Sequence, residues 1–248
     1  MLTSGAPKLS RFENLPRRAI FFLPLLLAVA GGVSPVVAQT ADSTGLISIR
    51  LEQLQGDLTR TVPQNTVFHS GDVLRFRLSS HLAGYLYVVD KGTTGAIATL
   101  FPASGGAEGS NRVAPNQSYL VPANGEGWFS VSGPSGFDTL YFLVSDRPIN
   151  LPRAAAPAQT PESTEAPPPG MLPRCNDKIF KARGDCLDDS AGVAPLAPGS
   201  PVPRELVPLA RIASRDIILT DDGGSTTVQA AAAAKLPLIY TFRLAHRD

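Results

Sequence analysis

Residues 71–80, Gly-Asp-Val-Leu-Arg-Phe-Arg-Leu-Ser-Ser, decide the fold class. Within them Leu74, Phe76 and Leu78 alternate with polar residues, which is the period-two pattern of a strand with one buried face. The next stretch, residues 84–90, is apolar on both faces and therefore predicts a central strand that is covered on both sides. Further short β-branched or aromatic segments, separated by Gly, Pro, Asn and Ser, lie at 97–101, 119–121, 128–131 and 139–145.

The fold predicted from this pattern is all-β, an antiparallel β-sandwich of about 8–9 short strands. Residues 46–51 alternate in the same way and form the first candidate strand. Residues 238–245 alternate as regularly, and an apolar strand of this kind is an aggregation hazard unless it pairs. We therefore expect the C-terminal strand to return to the sandwich, beside residues 46–51. Residues 227–235 are rich in alanine and predict one short helix.

The first 38 residues have the composition of a signal peptide. A basic leader precedes an apolar run at 19–30 and a small residue, Ala38, at which cleavage can occur. The run is too short to span a bilayer, although an uncleaved anchor is the alternative. We expect an exported protein, periplasmic or extracellular, with no stable transmembrane anchor after cleavage; the choice between general and twin-arginine export stays open.

Residues 151–203 change character, because eleven prolines fall among Ala, Ser, Thr and Gly. This composition predicts a linker without a packed core, a surface excursion between a sandwich domain at 39–150 and a segment at 204–248 that completes it. An insert at 175–186 is bounded by the only cysteines, Cys175 and Cys186, which we expect to form a disulfide in an oxidising compartment. A metal site would need further ligands nearby, and a redox pair would have closer spacing.

The charge balance gives no support for nucleic-acid binding. The chain has a formal charge of +1, and residues 1–38 hold four of the basic side chains and one acidic one, so the rest carries 18 basic and 20 acidic. No basic cluster is present that would form an electrostatic footprint for nucleic acid.

No reaction centre is evident from motifs or spacing. The three histidines, His69, His81 and His246, are not at metal-ligand spacing, and no Gly-x-Ser-x-Gly elbow is present. Acidic residues at strand ends are expected to accept hydrogen bonds from turn amides, in preference to acting as a paired acid and base; they are Asp72, Asp90, Asp138 and Asp146. We therefore predict no catalytic residues, cofactor or metal, and a protein that is not an enzyme.

An ordered set of short motifs resembles the bacterial domain of unknown function 4384 family over residues of about 65–148. The motifs are Gly71-Asp72 with Arg75-Phe76, Gly84 to Val88, Leu100-Phe101-Pro102, Tyr119 with Val121-Pro122, Gly133-Pro134 with Gly136, and Leu143-Val144-Ser145 with Pro148. The resemblance implies an exported or envelope-associated protein. The family has no agreed catalytic residues, so it implies no chemistry.

Two functions remain, and five residues form the candidate interaction surface: Arg75, Arg77, Tyr85, Tyr87 and Trp128. The first is a non-catalytic protein-interaction or structural module of the cell envelope; the alternative is a module that binds glycan or peptidoglycan. Aromatic side chains aligned on an open face would favour a sugar platform, whereas aromatic side chains packed between elements would favour the interaction module. We expect Trp128 to be buried with Phe129. The two arginines would contact an acidic partner or, alternatively, pair with an acid on the neighbouring strand.

Overall fold

The computed structural model describes residues 45–102, 109–123, 127–149, 172–222, 224–230 and 236–248. The predicted signal peptide and residues 151–171 of the proline-rich stretch lie outside these ranges. The described residues form fourteen strands and two helices, in chain order β1 (Gly45–Gln55), β2 (Leu58–Val62), β3 (Val67–His69), β4 (Val73–Ser80), β5 (Gly84–Lys91), β6 (Ile97–Phe101), β7 (Arg112–Val113), β8 (Gln117–Val121), β9 (Phe129–Ser130), β10 (Gly136–Ser145), α1 (Asp177–Arg183), β11 (Gly192–Pro195), α2 (Val207–Ile212), β12 (Ile217–Asp221), β13 (Thr226–Ala230) and β14 (Leu238–Arg247).

These strands form two sheets, which confirms the predicted all-β sandwich. The described ranges contain fourteen strands, so the predicted number of about 8–9 was too low. The first sheet has the order β12-β13-β1-β4-β8, with β2 also paired to β1 and β9 to β4. The second sheet has the order β11-β14-β10-β5-β6, with β3 paired to β14 and β7 to β5. Pairing among the described strands is antiparallel except between β3 and β14.

The alternating residues of β4 form the centre of the core, as predicted. Leu74, Phe76 and Leu78 are fully buried. The Phe76 ring packs edge-on against Phe242 of the second sheet, with ring centroids 4.9 Å apart, and against Phe142 at 6.0 Å. The two sheets therefore interdigitate through aromatic side chains at their middle.

Strand β5 is covered on both faces, as its sequence predicts. Leu86 and Val88 face the core between the sheets. Tyr87 and Val89 face the opposite side, where they belong to a second apolar cluster with Leu196, Leu206 and Ala210. The segment that contains α2 therefore covers the outer surface of the second sheet.

The C-terminal strand returns to the sandwich, but beside a different neighbour from the one expected. Strand β14 pairs with β10 and β11 in the second sheet. The strands beside residues 46–51 are β13 and β4, both in the first sheet. Alternation along a strand fixes which face is buried, but it does not select the partner strand, so the predicted neighbour of the C-terminal strand was wrong.

The predicted alanine-rich helix is also wrong for the residues described. Residues 226–230 form β13, which lies between β1 and β12; residues 231–235 lie outside the described ranges. Thr226, Thr227 and Val228 are β-branched, and pairing on both sides outweighs the modest helix preference of Ala230.

Part of the proline-rich stretch joins the core, contrary to the prediction of an unpacked linker. Residues 192–195 form β11, paired with β14, and Leu196 is buried in the second cluster.

The Cys175–Cys186 disulfide is present, with an S–S distance of 2.03 Å. Its insert forms α1 and docks beside β3, because the Val67 N–H donates to the Cys186 carbonyl at 2.9 Å.

Candidate functional site

The five predicted surface residues lie on two different sheets. Arg75 and Arg77 are on β4 of the first sheet, and Trp128 precedes β9, which pairs with β4. Tyr85 and Tyr87 are on β5 of the second sheet. The structure therefore does not bring the five residues together as one surface.

The two arginines pair with an acid on the neighbouring strand, which was the alternative to contact with a partner. Glu52 of β1 lies opposite Arg75 and is almost fully buried. Arg75 Nε donates to Glu52 Oε2 at 2.6 Å, and Arg77 Nε donates to Oε1 at 2.7 Å. Burial alone would raise the pKa of Glu52, but the hydrogen bonds from Arg77 and Arg75 hold it below its ordinary value.

Trp128 is half-buried, so the expectation of a core tryptophan was wrong. The Arg75 guanidinium carbon lies 4.0 Å from the centre of the Trp128 ring, a cation–π contact. Arg75 projects from the polar face of β4, away from the core, and the indole stacks on it there. One face of Trp128 is thereby occupied by the protein itself.

The two tyrosines are covered by a later part of the chain. Tyr87 is buried, and its hydroxyl accepts a hydrogen bond from the Ile149 N–H at 2.6 Å. Tyr85 packs at the border of the same apolar cluster, beneath the segment with α2. Among the described residues, these aromatic side chains do not form an aligned row on an open face.

Strand β12 is an exposed edge of the first sheet. It is last in the strand order and pairs with β13 alone among the described strands. Ile218 and Leu219 are 44% and 37% exposed. Main-chain groups on the outer side of an edge strand can pair with another extended chain.

A polar cluster that motif analysis missed lies at one end of the space between the sheets. Asp90, Asp138 and His246 belong to β5, β10 and β14, which are adjacent in the second sheet. Each continues the core-facing alternation of its strand, for example Tyr240, Phe242, Leu244 and then His246. The signal that could have found the cluster is therefore a titratable residue at a core-facing position in each of three strands.

Asp138 and His246 meet at the hydroxyl of Thr93, in the β5–β6 hairpin. Asp138 Oδ1 accepts hydrogen bonds from the Thr93 amide at 2.6 Å and from Thr93 Oγ1 at 2.9 Å. His246 Nε2 lies 3.0 Å from Thr93 Oγ1 and 3.3 Å from the same carboxylate oxygen. Asp138 thus accepts from a loop amide, as predicted for acids at strand ends.

This geometry differs from that of an activated nucleophile. In a nucleophilic triad the acid orients one imidazole nitrogen and the hydroxyl contacts the other. Here the acid and the hydroxyl both contact Nε2, and His246 Nδ1 is buried with no hydrogen-bond partner among the described residues. With the Thr93 proton directed to Asp138, the hydroxyl accepts from Nε2 and is not deprotonated by it.

Asp90 is the least satisfied member of the cluster. Its Oδ1 is buried and lacks a hydrogen-bond partner within the described ranges. Burial, with a smaller contribution from the charge of Asp138, raises the pKa of Asp90 to about 8. The expectation that Asp90 accepts hydrogen bonds from turn amides, as Asp138 does, is therefore not met.

A cavity of about 320 Å³ adjoins these acids, between the β5–β6 hairpin and residues 129–134. The described residues that line it are Asp90, Gly92, Thr93, Thr94, Ala96, Ile97, Ala98, Leu100, Phe129, Ser130, Val131, Ser132, Gly133, Pro134, Asp138, Leu140 and Leu244.

The described ranges contain no group of three or more His, Cys, Asp or Glu side chains arranged to hold a metal ion. Neither of the two helices described has the length and apolar character of a membrane span.

Comparison with known families gives one match, to the family described as "Domain of unknown function (DUF4384)", over residues 67–148. This segment is a DUF4384 domain. No curated protein and no solved structure matches the chain.

The DUF4384 segment contains β3 to β10, and with them Asp90, Thr93 and Asp138. His246 and the long strands β1 and β14 come from outside it. Strand β1 lies between β13 and β4, and β14 lies between β11 and β10. Both sheets of the DUF4384 domain are therefore completed by flanking parts of the chain.

Proposed function

We propose that the protein is an exported, non-catalytic module of the bacterial cell envelope that binds a protein partner by pairing an extended partner segment with β12. The observation that carries this proposal is the edge position of β12 among the described strands, with two adjacent exposed apolar side chains, Ile218 and Leu219. Strand addition at such an edge provides main-chain hydrogen bonds, and the exposed side chains add apolar contact on both faces.

The arrangement of the polar residues supports a role without catalysis. The Thr93 hydroxyl donates to a carboxylate, and its geometry with His246 does not supply a base. Arg75 and Arg77 both donate hydrogen bonds to Glu52 within the first sheet, so these arginines are not the basis of the proposed interaction.

Export is supported by two independent features. The basic and apolar leader at residues 1–38 has signal-peptide character. The Cys175–Cys186 disulfide is of a kind that persists in oxidising compartments such as the periplasm or the extracellular space.

Glycan or peptidoglycan binding is the second candidate function, and the half-buried Trp128 is the observation in its favour. The Arg75 guanidinium covers one face of that ring, and the two tyrosines pack beneath another segment. A sugar platform would therefore rest on a single aromatic face, which makes it the weaker candidate.

Site-specific photo-crosslinking in intact cell envelopes tests the proposal. A photoreactive side chain is placed at position 218 or, as the matched control, at position 180, where Phe180 is 51% exposed but lies on a helix. We expect one stoichiometric protein adduct from position 218 and none from position 180. With the photoreactive group at 219, Ile218→Lys is expected to reduce the adduct.

Equal labelling from positions 218 and 180, or no protein adduct from 218, would refute strand addition at β12. Retention of the protein on purified peptidoglycan that is lost in Trp128→Ala would favour the glycan-binding function instead.

A further inference from the structure

We propose that the cavity between the β5–β6 hairpin and residues 129–134 binds a small primary amine as its alkylammonium ion, with Asp90 as the residue that receives the ammonium group. This site is independent of the edge strand β12 and of the proposed protein interaction.

The charges of the cavity are the first argument. Its described lining contains two carboxyl groups, Asp90 and Asp138, and no lysine or arginine. In the described part of the chain Asp138 accepts three hydrogen bonds, all at Oδ1, from Thr93 and His246. Asp90 lines the cavity, and its Oδ1 is buried without a partner in the described part of the chain, so the protein leaves this carboxyl group without the compensation that a bound cationic donor would provide.

The size and walls of the cavity select the class of cation. A volume of about 320 Å³ is far larger than a bare metal ion needs, and calcium requires six to eight oxygen ligands. The apolar wall comes from side chains such as Leu100, Phe129, Leu140 and Leu244. An alkyl chain buries its methylene groups against such a wall while its ammonium group meets the acid, as lysine side chains do on protein surfaces.

The cross-strand neighbour of Asp90 defines the approach to the carboxyl group. Ala98 of β6 is paired with Asp90, so their side chains lie on the same face of the sheet. Ala98 also lines the cavity, and its methyl group leaves the space beside the carboxyl open. A larger residue there would fill the position that the ligand's terminal methylene groups would occupy.

Proton linkage gives the binding a distinctive pH dependence. With a pKa of about 8, Asp90 is protonated near neutral pH, and an ammonium ion binds its ionised form. Binding at pH 7 therefore releases close to one proton, and affinity rises about tenfold per pH unit up to the pKa of Asp90. The other titratable groups facing Asp90 from the described strands are Asp138 and His246.

Isothermal titration calorimetry of the purified protein tests the site, with n-pentylamine as the probe and pentan-1-ol as its uncharged counterpart. We expect the amine to bind at one site at pH 7 and the alcohol to bind at least about tenfold more weakly, as loss of a hydrogen bond between charged groups implies. Titration in two buffers of different ionisation enthalpy counts the protons released.

Two variants separate the proposal from general apolar binding. Asp90→Asn keeps the shape of the side chain and is expected to weaken amine binding about tenfold or more and to abolish proton release. Ala98→Leu blocks the space without changing charge and is expected to abolish binding of both probes. Circular dichroism and urea unfolding confirm that each variant is folded.

Equal affinity for amine and alcohol, no binding of the amine, or unchanged binding by Asp90→Asn would overturn the proposal. Competition by calcium at one equivalent would also overturn it, because the site would then be a metal site.

Discussion

Replacing Asp90 by asparagine is expected to stabilise the protein near neutral pH and to have little effect at pH 4. The pKa of Asp90 is raised from 3.8 to about 8 in the folded protein. Between these two values the folded state holds a proton that the unfolded state has released, so the stability contributed by this group is complete below its ordinary pKa and is lost as pH rises to about 8.

The magnitude follows from the width of that pH range. At pH 7 the solution is about three pH units above the ordinary pKa of the side chain, and each unit corresponds to about 1.4 kcal/mol. The cost of keeping a titratable carboxyl group at position 90 is therefore on the order of 4 kcal/mol at pH 7, a large fraction of the stability of a typical domain. An amide at the same position remains neutral throughout and avoids this cost.

Urea unfolding of the wild type and of Asp90→Asn at pH 4, 5, 6, 7 and 8 measures the effect. The difference between their free energies of unfolding isolates Asp90, because contributions from other groups are common to both proteins. Glu52 and Asp188, whose pKa values are lowered, act in the opposite direction and lose stability only as the solution becomes acidic. Asp146→Asn, at an exposed position, is the matched control. Parallel stability curves for the wild type and Asp90→Asn would refute the reasoning.

Three further predictions concern the fold. Phe76→Ala removes a fully buried ring and is expected to lower the free energy of unfolding, measured by urea titration, by about 3–5 kcal/mol. Phe180→Ala, on the exposed face of α1, is the control and should change the same quantity by less than about 0.5 kcal/mol. Equal effects of the two substitutions would contradict the assigned core. Replacing Cys175 and Cys186 by serine opens a loop with a sequence separation of 11 and is expected to lower the free energy of unfolding, measured in urea, by about 3 kcal/mol. An unchanged unfolding midpoint would show that the disulfide insert does not contribute to the stability of the fold. A fragment limited to residues 67–148 should show no cooperative unfolding transition by circular dichroism, because it lacks β1 and β14; a cooperative transition like that of the full chain would contradict this.

Local alternation along the chain was sufficient to predict which faces are buried. The core-facing residues of β4 and the double coverage of β5 follow from the period of two and from apolar residues on both faces. These properties depend only on residues a few positions apart. The identity of the buried face is therefore the same whichever strand is the neighbour.

Partner choice and register could not be predicted from the same information. Strand β14 pairs with β10 and not with β1, although both candidate partners have an alternating apolar face. Residues 226–230 form a strand because they pair with β1 on one side and β12 on the other. Helix propensity is a property of the local sequence and takes no account of such pairing. Likewise β11, in a proline-rich stretch, is extended because β14 offers its edge there.

The polar cluster was partly predictable. Motif searches look for ligands close in sequence, but Asp90, Asp138 and His246 are far apart and are brought together by the strand order β14-β10-β5. Their alternation with buried residues indicates that all three face the core. Their meeting at one end of the sandwich depends on strand order and register, which local alternation alone does not reveal.

The two acids of the cluster make unequal contributions to the structure, and this difference bears on function. Asp138 holds the β5–β6 hairpin through the amide and hydroxyl of Thr93, so its burial is compensated by hydrogen bonds. Asp90 Oδ1 accepts no hydrogen bond from the described residues. Burying the ionised carboxylate is therefore unfavourable, and this raises the pKa of Asp90. A carboxyl group that lines a cavity without hydrogen-bond partners destabilises the free protein. The same group stabilises the complex once a cation binds to it. If Asp90→Asn stabilises the protein and also weakens amine binding, stability and binding are opposed at this position, as is expected where a buried carboxyl group serves a ligand.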